Sequence, residues 1–173
     1  LLRRDEADRA LVSFYGKLAQ GMTRDTYIGC EGSGLRPLDE HGRAMYLPPN
    51  AAANAFFLVT LRNLLVQDLD LDGDGRADAL RLLYATPRAW LADGGRIAVE
   101  RMPTFFGPVS FEIVSELARG RVRVTLDLPR DLAVPARLKS RLPAGYERSD
   151  GDGEIIELAP GGGRREFEIA VRP

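Results

Sequence analysis

Cysteine and histidine are almost missing from this chain. Cys30 stands alone, so no internal disulfide framework exists and the redox compartment stays open. His41 is the only histidine; with no second His or Cys at ligand spacing, neither a zinc site nor a Cys–His nucleophile finds its partner. No apolar run approaches the ~18 residues of a membrane-spanning helix. Charge of one sign is also lacking. A net charge of −1 with both signs interspersed gives no electrostatic reason to expect nucleic acid. A phosphate-cradling glycine loop, a serine elbow and paired cysteines are all absent. What remains is 45% hydrophobic over 173 residues, enough for one ordinary domain or two small ones. The chain opens Leu-Leu-Arg-Arg-Asp-Glu, as though entering a helix already under way, and is read as a truncated or processed product.

Apolar residues from Ala7 through Phe14 to Met22 recur every three to four positions, which predicts an amphipathic helix over 5–22 closed by Gly21. Residues 23–49 are rich in glycine, proline and charge without periodicity, and read as a long loop of the kind that carries function. A second helix is expected over 50–67, with Asn50 as N-cap behind Pro48-Pro49. Its apolar residues leave little room for a polar face, so it is expected to be buried in protein. Two helices and one sandwich cannot cover such a segment on every side, which points to absent helical neighbours. After Gln67 the period falls to two. Leu80 and Leu82, Ile97 and Val99, Val109 to Leu117, Val122 to Leu128, Leu138 to Leu142, Ile155 to Leu158 and Phe167 to Val171 alternate as half-buried antiparallel strands, with a hairpin at Ala118-Arg119-Gly120. The fold class is therefore α+β: two N-terminal helices over 1–78, then an antiparallel β-sandwich over 79–173.

The sharpest chemical signal lies between helix and sandwich. Asp70, Asp72, Asp74 and Asp78, with Gly75 at the turn, fill the first, third, fifth, ninth and sixth positions of a calcium loop. The twelfth, where a bidentate Glu belongs, is Arg81. Structural calcium and a plain solvated acidic turn both fit. No other cofactor is required. In the long loop, Glu31 within Gly29-Cys30-Glu31-Gly32-Ser33-Gly34 is either a general base on an open loop or an exposed turn residue. His41 beside Gly42 reads as a solvent-exposed loop residue. Tyr84, Trp90, Phe105 and Phe106 gather at the junction, where packing is favoured over stacking on sugar rings.

Several segments together carry a resemblance: Thr23-Arg24-Asp25-Thr26-Tyr27 with Glu31, Leu61-Arg62-Asn63-Leu64-Leu65-Val66, Ala85-Thr86-Pro87-Arg88-Ala89-Trp90-Leu91, Asp93-Gly94-Gly95-Arg96-Ile97 and Pro103-Thr104-Phe105-Phe106-Gly107-Pro108-Val109-Ser110. Over roughly 5–142 the chain resembles the carboxy-terminal end of bacterial six-hairpin, (α/α)6-toroid glycosidase-like proteins, in which a helical barrel is followed by a small β-sandwich. The resemblance implies that the two helices are the last hairpin of a toroid. It implies Glu31 as a catalytic carboxylate, Asp25 as a weaker candidate, and Arg24, Asp25, Tyr27 and Asn50 at a sugar subsite. Carbohydrate and the missing helical hairpins of a parent chain are then the partners. The general acid of such toroids lies on an earlier hairpin, so the chain is expected to be inactive alone, since glycoside hydrolysis needs two carboxyl groups. The loop over 70–78 has no counterpart in that pattern. The competing expectation is a non-catalytic sandwich module binding carbohydrate or calcium, and exposure of the second helix separates the two.

Overall fold

A computed structural model describes residues 1–23, 25–38, 42–46 and 48–173, with backbone only for 33–38 and 42–46. After a short 3-10 turn at Leu2–Arg4, helix α1 runs over Ala7–Gln20 and buries Ala7, Ala10 and Phe14. Gly21 ends it, donating its N–H to the Lys17 carbonyl at 2.8 Å. Helix α2 spans Ala51–Leu65, and the Asn50 side chain accepts from the Ala53 amide at 2.7 Å, so the expected N-cap forms. Phe14 stacks on Phe57 with ring centroids 4.7 Å apart, and Ala7, Leu64 and Ala85 complete this small core. The helices thus form a hairpin-like pair.

The stretch read as a structureless loop holds an antiparallel pair, β1 (Gly32–Leu38) and β2 (Gly42–Tyr46). Its register slips between Ser33 and Pro37. A ladder so interrupted, in a segment of Gly, Pro and Arg, leaves no period-two signal to read.

Nine further strands follow: β3 (Val66–Gln67), β4 (Leu80–Leu82), β5 (Arg96–Met102), β6 (Val109–Glu116), β7 (Arg121–Leu128), β8 (Ala136–Lys139), β9 (Glu147–Arg148), β10 (Ile155–Leu158) and β11 (Gly163–Arg172). They make a sheet of order β10-β8-β4-β3 and another of order β5-β6-β7-β11-β9. Val66, Leu80, Leu82 and Leu138 of the first share one core with Val99, Phe111, Ile113, Val124, Leu126 and Ile169 of the second. The alternation read from the sequence is what places these residues inside: β6 and β7 each bury every second side chain. One pair departs from the antiparallel expectation. Strands β4 and β8 run parallel, because the β5–β7 meander of the opposite sheet supplies the long connection between them.

Side chains tie the helices to this sandwich. Lys139 and Arg141 are both buried. Lys139 Nζ reaches Asp5 Oδ2 at 2.8 Å, and Arg141 donates to Asp8 Oδ1 at 2.5 Å and to the Thr86 carbonyl at 2.7 Å. Arg141 holds the Asp8 carboxyl below the ordinary aspartate range. The stability this pair contributes is therefore full above that range and lost as pH falls through the lowered value.

Helix α2 is left partly uncovered, the mismatch its composition led one to expect. Expected to be buried, it leaves Phe56 73%, Leu58 62% and Val59 55% exposed, and Leu64 is its one buried residue. Its apolar arc is wider than α1 and the sandwich can cover together. Urea unfolding should separate the two kinds of apolar position. Leu126→Ala is expected to cost about 2–5 kcal/mol, whereas Phe56→Ser stays within about 0.5 kcal/mol.

Candidate functional site

The loop between β3 and β4 turns because its carboxylates hold its own amides. Asp70 Oδ1 accepts from Gly73 N at 2.6 Å, and Asp70 Oδ2 from Gly75 N at 2.9 Å. Asp72 Oδ1 accepts from Asp74 N at 3.0 Å and Asp78 Oδ2 from Leu71 N at 2.6 Å. Gly73 and Gly75 sit at φ +88° and +85°, where a side chain would be strained. The result brings one carboxylate oxygen each of Asp70, Asp72 and Asp78 to within 4.8 Å of one another. Asp70 is partly buried and the other two are exposed.

Three converging carboxylates form an all-oxygen donor set, which suits a hard cation such as calcium as a structural ion. Of the four aspartates singled out as ligands, Asp70, Asp72 and Asp78 converge. Asp74 is not in the converging group; its Oδ1 accepts from Arg76 N at 2.8 Å. Arg81, at the twelfth position, belongs to β4 and lies over the Tyr84 ring at 5.1 Å. Amides of Gly73 and Gly75, with Arg3 nearby, hold the Asp70 carboxyl below its usual range. Arg3 Nη2 also donates to the carbonyls of Asp70 at 2.7 Å and Leu71 at 3.3 Å, joining the chain's first turn to this loop.

The segment carrying Glu31 is built by close contact with α2. Gly29 N donates to Asn54 Oδ1 at 2.6 Å and the Gly29 carbonyl accepts from Asn50 N at 2.8 Å. A Cβ on Gly29 would meet Asn54 Oδ1 at 2.5 Å, so only glycine allows this approach. Cys30 is fully buried, donates to the Gly21 carbonyl at 3.2 Å and serves packing. Its own carbonyl accepts from Lys17 Nζ at 2.9 Å. Glu31 is thereby set, exposed, on the wall of a hollow of about 1240 Å³ between α1 and α2, and Asn50 lines the same hollow. Asp25 and Tyr27 sit on the exposed turn before Gly29, Tyr27 at φ 51°. That turn is closed by Thr23, whose Oγ1 accepts from Ile28 N at 2.8 Å. Arg24 lies outside the described residues, as do Asp39, Glu40 and His41.

The junction aromatics mostly pack. Tyr84 is buried, while Trp90 and Phe106 lie against the sandwich core. Phe105 alone is exposed, edge-on to Phe106, with its amide donating to Asp68 Oδ2 at 2.5 Å.

Calorimetric titration of calcium tests the ligand assignment. Asp70→Asn and Asp78→Asn should each weaken binding at least about tenfold, and Asp74→Asn by less than about threefold. Because its amide bonds hold the Asp70 carboxyl below its usual range, the contribution of Asp70 to affinity should persist through the ordinary aspartate range and be lost only as pH falls through the lowered value. No family model matches this chain, and neither a curated protein nor a solved structure shows significant similarity to it.

Proposed function

We propose that residues 1–173 form a non-catalytic module in which a calcium ion, held by the loop over 70–78, braces the joint between a helix pair and a β-sandwich. The observation that carries this reading is the convergence of Asp70, Asp72 and Asp78. Their loop leaves β3 and returns as β4, two paired strands of one sheet, so an ion there closes the connection. Arg3 brings the start of the helical half to the same loop. On this reading calcium closes the β3–β4 connection of the sandwich, and Arg3 fastens the start of the helical half to that loop.

A second reading is favoured by one feature, the shared hollow of Glu31 and Asn50. There the helix pair is the last hairpin of a six-hairpin glycosidase-like toroid, with Glu31 as one carboxylate of a carbohydrate site. Asp25, Tyr27 and Arg24 then serve the sugar subsite, and the hairpins of a parent chain cover α2. Such a chain supplies one carboxyl group where the reaction needs two, and is inactive by itself.

Thermal unfolding with and without calcium tests the first reading. At a hundredfold excess over its Kd, an ion bound only to the folded state stabilises by about 2.7 kcal/mol. For a chain of this size that raises Tm by roughly 5–10 °C, and a chelator should reverse it. A Tm indifferent to calcium removes the first reading. Saturable binding of a neutral oligosaccharide, lost in Glu31→Gln, would then favour the second.

A further inference from the structure

The hollow between α1 and α2 is floored by Ala10, Phe14, Ala53, Phe56 and Phe57. Small side chains alternate there with rings, so another backbone can come close while rings fill its grooves. Phe56 forms the exposed apolar edge of this floor, and Val59, one turn further along α2, is exposed beside it. Contiguous exposure of that kind marks a contact surface. At its rim the charges are unequal: Arg3 and Arg4 stand at one end, Lys17 and Glu31 at the other.

Shape and charge together select the occupant. The hollow is a trough between two rods, which fits a third rod; a flat bilayer would touch only its rim. A second copy of this chain, paired face to face, would bring two cationic rims together. Helices of 14 and 15 residues give the trough a length of about 21–23 Å, or four turns.

We infer that this trough seats an amphipathic α-helix from outside residues 1–173, with an apolar stripe and carboxylates on its flanks. The stripe covers Phe56 and the floor, and the carboxylates meet Arg3, Arg4 and Lys17. The inference rests on the helical half of the second reading and not on its carbohydrate half. It stands whether or not the loop over 70–78 binds calcium.

The test uses the 173-residue protein and two fluorescein-labelled helical peptides of about 18 residues, one turn longer than the seat. Both carry the same Leu/Ala stripe; one is flanked by Glu and the other by Lys. Fluorescence anisotropy should show saturable binding of the Glu-flanked peptide and at least about tenfold weaker binding of the Lys-flanked one. Phe56→Asp, at an exposed site, should keep the melting curve and weaken the Glu-flanked peptide at least about tenfold. Arg4→Glu should narrow the preference between the peptides. Equal affinity for both peptides, binding to neither, or full binding to the Phe56→Asp variant overturns the inference. So does sedimentation as a dimer that Phe56→Asp dissolves, or binding to phosphatidylglycerol vesicles that the Glu-flanked peptide fails to displace. Oligosaccharide titration of the same protein is read separately, so loss of the sugar reading leaves this result intact.

Discussion

The salt bridge between Arg62 and Asp68 joins the helical part of the molecule to the sandwich at the point where the chain changes from one to the other. Helix α2 passes into β3 with no linker, and at that point the chain must turn from a helical to an extended path. Arg62 Nη1 takes Asp68 Oδ1 at 2.6 Å and the Val66 carbonyl at 3.2 Å, spanning the transition. Its Nη2 holds the Pro103 carbonyl at 2.9 Å, and Asp68 Oδ2 accepts from the Phe105 amide. One partly buried ion pair thus ties the end of α2, the start of the acidic loop and the β5–β6 connection. Removing either partner would leave the other short of its bonds in a partly desolvated place, the costly case for ion pairs. This node holds the end of α2, and the stacking of Phe14 on Phe57 holds its middle against α1.

Arg3 links the two functional features. Its guanidinium lies on the carbonyls of Asp70 and Leu71 and also lines one end of the trough. Leu69, immediately before the acidic loop, lines that end as well. A change in the charge of the loop therefore acts on the same side chain that offers positive charge to a partner helix. The opposite end, around Glu31 and Asn50, is held by Gly29 and by Lys17 and does not share this coupling.

Much of this was legible in the residues, and the failures have physical causes. Strands β5 to β7 and β11 were readable because each is half-buried, and half-burial writes itself as alternation. The Asn50 cap was readable because capping is local. The pair β1 and β2 was not, since its irregular register and its Gly and Pro erase the period. Strand β9, with two residues, is too short to carry a pattern. The parallel pairing of β4 with β8 depends on a connection that crosses between sheets, which no local signal encodes. Composition marked α2 as apolar nearly all round, and counting the elements available to cover it foretold the exposure of Phe56, Leu58 and Val59. At the acidic loop the spacing of aspartates foretold convergence. It could not foretell that Asp74 would turn back on the Arg76 amide.

Whether the trough does chemistry is decided by counting its ionisable groups. Among the described residues its wall offers Arg3, Arg4, Lys17 and Glu31, hence one carboxylate against three cations. Hydrolysis of a glycosidic bond by the common mechanisms takes an acid and a base, or an acid and a nucleophile, on two sides of the bond. A single exposed Glu beside a lysine supplies at most one of those parts. The same wall is well suited to holding something: an apolar floor for burial and cations at the rim for orientation. The geometry that weakens the case for catalysis within this chain is the geometry that suits a helix.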